Sequence, residues 1–428
     1  MDFSLLRNRN YVLLWMGGLV SNLGTALMHF ALSLYVMKTT GSAALFASVL
    51  VVGAIPRLIL GPIGGVFADW IDRKKLIVGL DAISGIVTLA FAGLYMAKGS
   101  LSVWEIYALV IVLQTVNAFF DPAVGAVLPS IVEKERLMSA NAFRSSSNQM
   151  LMLFAPIIAG VIYGFAGIFM VLVIDGISFL FSSISEAFIQ MPKGNLSKTK
   201  PSLAGFVADF KDGLSFMINN RFMIAIIAMA LVVNMTFGPM FSVVMPFALV
   251  QRFGVSPEQL GFFNFLLGFG MVFGPMLAAL VSKKIKPKHL ISLGLLATSA
   301  FVAIMGYFMG IIESDGITGA IQIIAITGGI MSFAAVFVGM VNVCVSTIFQ
   351  KTVPLEKMGR VGSVLGTLMM ASQPIGSMVA GGLTEVLRTD VVVYVVAISG
   401  VLGVAVYAWL MRGVDIDAPA AEASEQVG

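Results

Sequence analysis

The sequence predicts an all-α membrane protein with twelve transmembrane helices in two pseudo-symmetric six-helix halves. Three observations carry that reading. The 428 residues are 58% hydrophobic and only 11% charged, with a mean hydropathy of +0.98, whereas soluble domains carry about 25% charged residues. Twelve stretches stay apolar over the roughly 20 residues that a helix needs to cross a bilayer. A sequence echo offset by half the chain relates the first six stretches to the last six. The composition excludes a soluble enzyme, a disordered chain and a nucleic-acid binder.

Taken in order, the spans cover 11–37, 43–68, 76–97, 103–128, 140–165 and 168–189, then 222–250, 259–281, 290–312, 319–348, 361–387 and 391–410. Met1 to Asn10 is polar and basic and runs straight into the first span. No cleavage signal follows a short apolar core, so this reads as a retained helix. The longest polar gap, 190–221, separates the halves. Within it Leu203, Phe206, Val207, Phe210, Leu214 and Met217 keep helical spacing, which fits a short amphipathic helix on the membrane surface. The tail from Val414 is acidic and Ala-rich, a disordered composition. The expected organisation is therefore a first half (1–190), a cytoplasmic linker (191–221), a second half (222–412) and a tail (413–428).

The basic residues set a topology. With the N-terminus inside, 20 of the 26 Lys and Arg fall on inner segments and four, Lys38, Lys98, Arg252 and Arg388, on outer ones. Cytoplasmic loops collect Lys and Arg, so both termini are expected in the cytoplasm of a bacterium, with the chain in its inner membrane. Cys344 is the sole cysteine, and His29 and His289 are the sole histidines. No disulfide, metal site or cofactor is expected from them. No P-loop and no nucleophile–base constellation stands out, which argues against an enzyme.

The internal echo pairs Gly61 to Leu80, GPIGGVFADWIDRKKLIVGL, with Gly274 to Leu293, GPMLAALVSKKIKPKHLISL. A second one sets Pro156 near Gly160 in the fifth span against Pro374 near Gly376 in the eleventh. Two parallel halves related by an axis along the membrane normal are a transporter architecture.

These stretches resemble the major facilitator superfamily over nearly the whole chain. Gly61, Gly65, Asp69, Arg73 and Lys74 fit its glycine–aspartate–arginine loop motif. The segments LLRNRNYVLLWMGGLVSNLG, FFDPAVGAVLPSIV, ERLMSANAFRSSSNQ and QKTVPLEKMGRVGS are similar to the branch of macrolide-efflux and siderophore-export proteins. The resemblance implies the major facilitator fold. It also implies a conformational latch in which Asp69 meets the start of the eleventh span and Arg73 pairs with Asp121. Physically, Gly61 and Gly65 would let helices approach closely. Pro156 and Gly160 resemble an exporter-type helix motif, with Ala155 where glycine is usual. One departure stands out: the arginine that such exporters often carry mid-way along the fourth helix is missing from VIVLQTVNAFF.

Ionisable groups in hydrocarbon cost a few kcal/mol or more, so each is a functional candidate. Arg57, Asp175 and His29 are the candidates for proton coupling, and His29 can change charge near neutral pH. In the family the first, fourth, seventh and tenth spans line the cavity. By that resemblance Asn22, Gln114, Asn117, Asn234 and Asn342 come near it. Phe237, Phe241 and Phe265 offer adaptable apolar walls. The expected function is export of a hydrophobic or amphipathic small molecule, macrolide-like, by a monomer that alternates access and exchanges protons. Two alternatives stay open: export of an endogenous siderophore or lipid-like metabolite, and a non-transporting sensor or scaffold.

Overall fold

The computed structural model describes residues 3–70, 72–133, 136–190, 203–282, 284–315 and 319–412; side chains at 62–70, 203–209 and a few scattered positions lie outside that description. The linker stretch 191–202 and the tail 413–428 therefore lie outside the described residues. Regular structure among the described residues is helical throughout, as hydrocarbon demands, because a helix satisfies its own backbone.

The first four helices are α1 (Arg9–Thr40), α2 (Ala43–Trp70), α3 (Arg73–Lys98) and α4 (Val103–Ile131). Their ends follow local chemistry. Asn8 caps α1 by accepting from the Tyr11 N–H at 3.2 Å. Asp72 caps α3 by accepting from the N–H groups of Lys74 and Lys75 at 3.0 and 3.2 Å. Ser102 and Glu105 form a reciprocal capping box on α4. A continuous helical stretch then runs from Leu137 to Ala187, but Gly167 in its middle has φ 67° and ψ −171°. Only glycine adopts that conformation without strain, so the stretch is two helices, α5 (137–166) and α6 (168–187).

After α7 (Leu203–Ile218) come α8 (221–252), α9 (Pro257–Val281), α10 (Pro287–Asp315), α11 (Ala320–Thr352), α12 (Leu355–Val386) and α13 (Thr389–Leu410). Among the described residues ten stretches are long and apolar enough to cross a bilayer, one of them α5 and α6 together. α12 is equally long, but Gly, Ser and Gln dilute its apolar character. α8 is not a plain α-helix. Its Gly238, Met245 and Phe253 N–H groups reach back five residues, to the carbonyls of Val233, Met240 and Ala248. Pro239 and Pro246 lie in the same stretch, where wider turns ease the proline ring away from the preceding carbonyl.

The chain divides into two compact units, one of 1–203 with 255–262, the other of 204–254 with 263–428. α7 belongs to the second unit. The first unit is organised around α6, which packs against α1 on one side and α3 on the other. Small residues make both contacts possible. A Cβ at Gly17 or Gly24 of α1 would strike Ser182 or Ser178 of α6. A Cβ at Gly85 of α3 would lie 2.9 Å from the Gly176 carbonyl, and one at Gly176 2.6 Å from Leu89. Serine hydroxyls pin the register: Ser183 donates to the Val78 carbonyl and Ser185 to that of Leu13, both at 2.8 Å. In the second unit Gly270 and Gly274 of α9 press onto α11 at Ser332 and Val336, and Gly400 of α13 presses onto Phe237.

Gly61 does not behave as its repeat partner Gly274 does. A Cβ there would meet no described atom within 4 Å.

Thermal unfolding in detergent tests the α6 contacts. Gly176→Val should destabilise the protein by about 1–3 kcal/mol through overpacking. Gly93→Ala inside α3, where nothing lies within 4 Å, should not destabilise the protein and should add up to about 1 kcal/mol through helix propensity.

Candidate functional site

α4 carries Gln114, Asn117 and Asp121 at spacings that share one face. α2 lies against that face through Gly53, whose missing Cβ leaves room for Val110 and Gln114. One turn further along α2, Arg57 Nη2 donates to Asp121 Oδ2 at 2.6 Å. Asp121 was expected to meet Arg73; the structure gives its carboxylate to Arg57 instead. The two side chains are 44% and 59% exposed. A charged pair at membrane depth with that much open surface faces water, not lipid, because a lipid-facing charge is too costly. The pair therefore marks the wet side of the first unit.

Above it, Gln114 Nε2 and His29 Nε2 are 3.2 Å apart. A primary amide can donate or accept, so Gln114 can follow His29 through either ring state. Gln114 itself is buried. Thus α1, α2 and α4 bring His29, Gln114, Arg57 and Asp121 into one polar strip.

The strip continues into a cavity of about 60 Å³ lined by Tyr11, Trp15, Asn22, Asp121, Arg144 and Glu186 among others. That is room for a few water molecules. Three of the sequence segments that carried the family resemblance converge here. Asn8 Nδ2 donates to the Ile131 carbonyl at 2.9 Å, Tyr11 Oη to the Ala140 carbonyl at 3.3 Å, and Trp15 Nε1 to Ser147 Oγ at 3.0 Å. The motif residues are thus one packed site. Glu186 is fully buried.

The fourth segment lies in the second unit. Asp212 on α7 accepts from Arg360 on α12 at 2.8 Å, with Lys357 Nζ at 3.8 Å. Gly213 lets α7 lie against the Arg360 carbonyl, and Lys357 sits over the Phe216 ring. The Arg360 hydrogen bond holds the Asp212 carboxyl below its ordinary value.

Other expected residues separate. Gly65 and Asp69 fall where side chains lie outside the described residues. Arg73 opens α3. Pro156 and Gly160 of α5 meet the first turns of α9: the Pro156 carbonyl faces Gly261, and Gly160 faces the Pro257 carbonyl. Phe237 is fully buried against Gly400, so it is a packing residue and leaves the cavity set. Phe241 is half-buried. Phe265 is half-buried and opens a ladder of rings, 6.0 Å from Phe269, which is 4.8 Å from Phe273. Asn234 donates to the Ala230 carbonyl at 2.9 Å and to Met369 Sδ at 3.3 Å. Asn342 is exposed and Asn117 half-buried. Asp175 is fully buried on α6, away from open surface.

A sequence profile of the Major Facilitator Superfamily matches residues 14–372 and, in an overlapping match, 240–427. The chain belongs to this superfamily. Among relatives in the superfamily, macrolide efflux protein A of Streptococcus pyogenes is 25% identical over 369 residues, 85% of this chain and 86% of that protein. The multidrug efflux pump Tap of Mycolicibacterium fortuitum is 21% identical, covering 87% and 89%. Solved structures share the fold. An inward-facing bacterial homologue of the iron transporter ferroportin superposes with a TM-score of 0.70 at 17% identity, covering 94% of this chain and 98% of that one. The nucleoside transporter NupG gives 0.71 at 13% identity, covering 94% and 99%. As a major facilitator protein, the chain is a multi-pass membrane transporter and not an enzyme.

Two predictions follow from this superfamily member's ion pairs. Arg57→Gln should slow transport by roughly tenfold, and adding Asp121→Asn should restore part of it, a coupling of about 0.5–3 kcal/mol; initial flux rates of the single and double variants measure it. The Asp212 pair should hold from neutral pH through the ordinary Asp range and release only as pH falls through the lowered value. Trypsin cleavage at Lys211 at neutral pH, compared between wild type and Asp212→Asn, reads the grip of the pair on α7, and an infrared pH titration of the Asp212 carboxylate band follows its release. Faster cleavage of the variant at neutral pH is the expected result.

Proposed function

We propose that this transporter exports hydrophobic or amphipathic small molecules, macrolide-like drugs among them, from a bacterial inner membrane in exchange for protons. The observation that carries the reading is the chemistry of the polar strip. Its Arg57 and Asp121 charges pair with each other, leaving Gln114, Asn22 and the Tyr11 and Trp15 rings, beside Arg144, to meet a substrate. Amide and aromatic walls suit a largely apolar solute with scattered acceptors. The near full-length relationship to efflux proteins points the same way.

Metal cargo fits less well: among the described residues no group of three His, Cys, Asp or Glu could hold an ion. His29, beside an amide that serves it in either protonation state, is a candidate proton carrier in the strip. The protein would act as a monomer, with 1–190 and 222–412 as the halves that rock and both termini in the cytoplasm. Consistent with that topology, the four basic residues on the outer side have partners. Lys98 binds Glu105 and Lys38 lies over the Tyr163 ring. Arg252 binds Glu313, and Arg388 binds Asp390 and Glu313. Inner bases have the excess.

Inverted membrane vesicles test the reading. With an acid lumen, erythromycin should accumulate severalfold more than in vesicles lacking the protein, and collapsing the pH gradient should abolish the excess. Equal accumulation with and without the protein would refute export of this class.

A further inference from the structure

α5 carries a polar stripe inside a membrane span. Asn141, Ser145, Asn148, Gln149 and Met152 recur at helical spacing and are all exposed, with Arg144 half-buried beside them. A stripe of that polarity facing lipid is too costly, so this face meets water. The six residues together line an open cavity of about 560 Å³, the size of a small-molecule site. None of the six is acidic. The charge this cavity presents is therefore that of the Arg144 guanidinium, which attracts an anion and repels an organic cation.

Arg144 also lines the small cavity that holds Asn22, Asp121 and Glu186. Neither carboxyl there takes up its charge. Asp121 Oδ2 accepts from Arg57 at 2.6 Å, and neither Glu186 oxygen has a hydrogen-bond partner among the described residues. Arg57, Lys98, Arg252, Arg360 and Arg388 each hold a carboxylate; among the described residues Arg144 holds none. A half-buried guanidinium left without a partner is costly, and its fork of N–H donors matches the two oxygens of a carboxylate. The Ser145 hydroxyl and the Asn148 and Gln149 amides, on the same cavity wall, can donate to the remaining lone pairs. Met152 lies eight residues further on, about 12 Å along the helix, where its thioether offers an adaptable apolar surface. The wall thus runs from a cationic end through amides to an apolar end.

We propose that this cavity takes amphipathic organic acids, with the carboxylate on Arg144, flanked by Asn148 and Gln149, and the apolar body lying toward Met152. This rests on the export reading above and narrows it: among amphipathic compounds, those with one acid group are the preferred cargo. A lipid phosphate offers similar oxygens, but lipid chains gain nothing along a wall of amides and hydroxyls.

Equilibrium dialysis of the full chain in a maltoside detergent without added lipid reads the site. The probes are fusidate, a steroid carboxylate, and its uncharged methyl ester. Wild type should bind the acid roughly tenfold more tightly than the ester, the worth of one charge-assisted hydrogen bond. Arg144→Gln should abolish the difference. Arg144→Lys keeps the charge but not the fork and should keep part of the preference, which separates lost charge from lost folding. Equal affinities for acid and ester in wild type, or an acid preference that survives Arg144→Gln, would overturn the proposal. So would dihexanoylphosphatidylglycerol binding through Arg144 while fusidate shows no preference over its ester, since the site would then belong to a lipid phosphate. In inverted vesicles Arg144→Gln should lower fusidate accumulation more than erythromycin accumulation. If erythromycin accumulates and fusidate stays at the level without the protein, export stands and the acid preference is wrong. If neither accumulates while dialysis shows the acid preference through Arg144, the export reading falls and the binding site stands.

Discussion

Helices in hydrocarbon gain nothing by hiding leucine from lipid, because lipid tails are equally apolar. What holds them together is close backbone approach and the few polar contacts that approach allows. In the first unit that constraint falls on α6. Its serines and Gly176 meet glycines on α1 and α3, and the hydroxyls of Ser183 and Ser185 bond to backbone carbonyls across the two contacts. The same tight fit buries Asp175, Asp81 and Glu186.

The wet side of the unit follows a different rule. Arg57 and Asp121 are half-exposed and paired, and His29 shares a hydrogen bond with Gln114. Charges there are tolerated because they meet water and each other. The cavity at Tyr11, Arg144 and Glu186 is where the two regimes touch. It joins the open surface at Asp121 to the buried Glu186. In the second unit, the role of charge is mechanical: Asp212 fastens α7 to the start of α12 through Arg360 and Lys357.

Much of the fold was legible in the sequence, since span length and apolarity are set by bilayer thickness. Even the short break at Gly167 lay where the apolar stretches were divided, because a turn of two residues leaves few choices but glycine. The widened turns of α8 were not legible, since proline announces a disturbance but not how a helix absorbs it. Within the site, Gln114, Arg57, Asp121 and His29 were visible as polar groups in apolar runs. Their pairing was not: helical spacing tells which residues share a face of α4, not which neighbour α2 presents to Asp121. Phe237 misled because its residue type suits a cavity wall and a buried contact equally well, and only Gly400 on a distant helix decides between them. The α6 seam did leave a signal. Gly17, Ser21 and Gly24 on α1 and Asp175, Ser178, Ser182 and Glu186 on α6 repeat at helical spacing, but matching two small-residue stripes requires knowing which helices are neighbours.

The central claim is that the transporter exports its substrate in exchange for protons. Proton release on substrate binding tests it most directly. Erythromycin added to the detergent-solubilised protein in weakly buffered solution near neutral pH, with an indicator dye as readout, should release protons in step with binding. Binding with no change in pH would contradict the account.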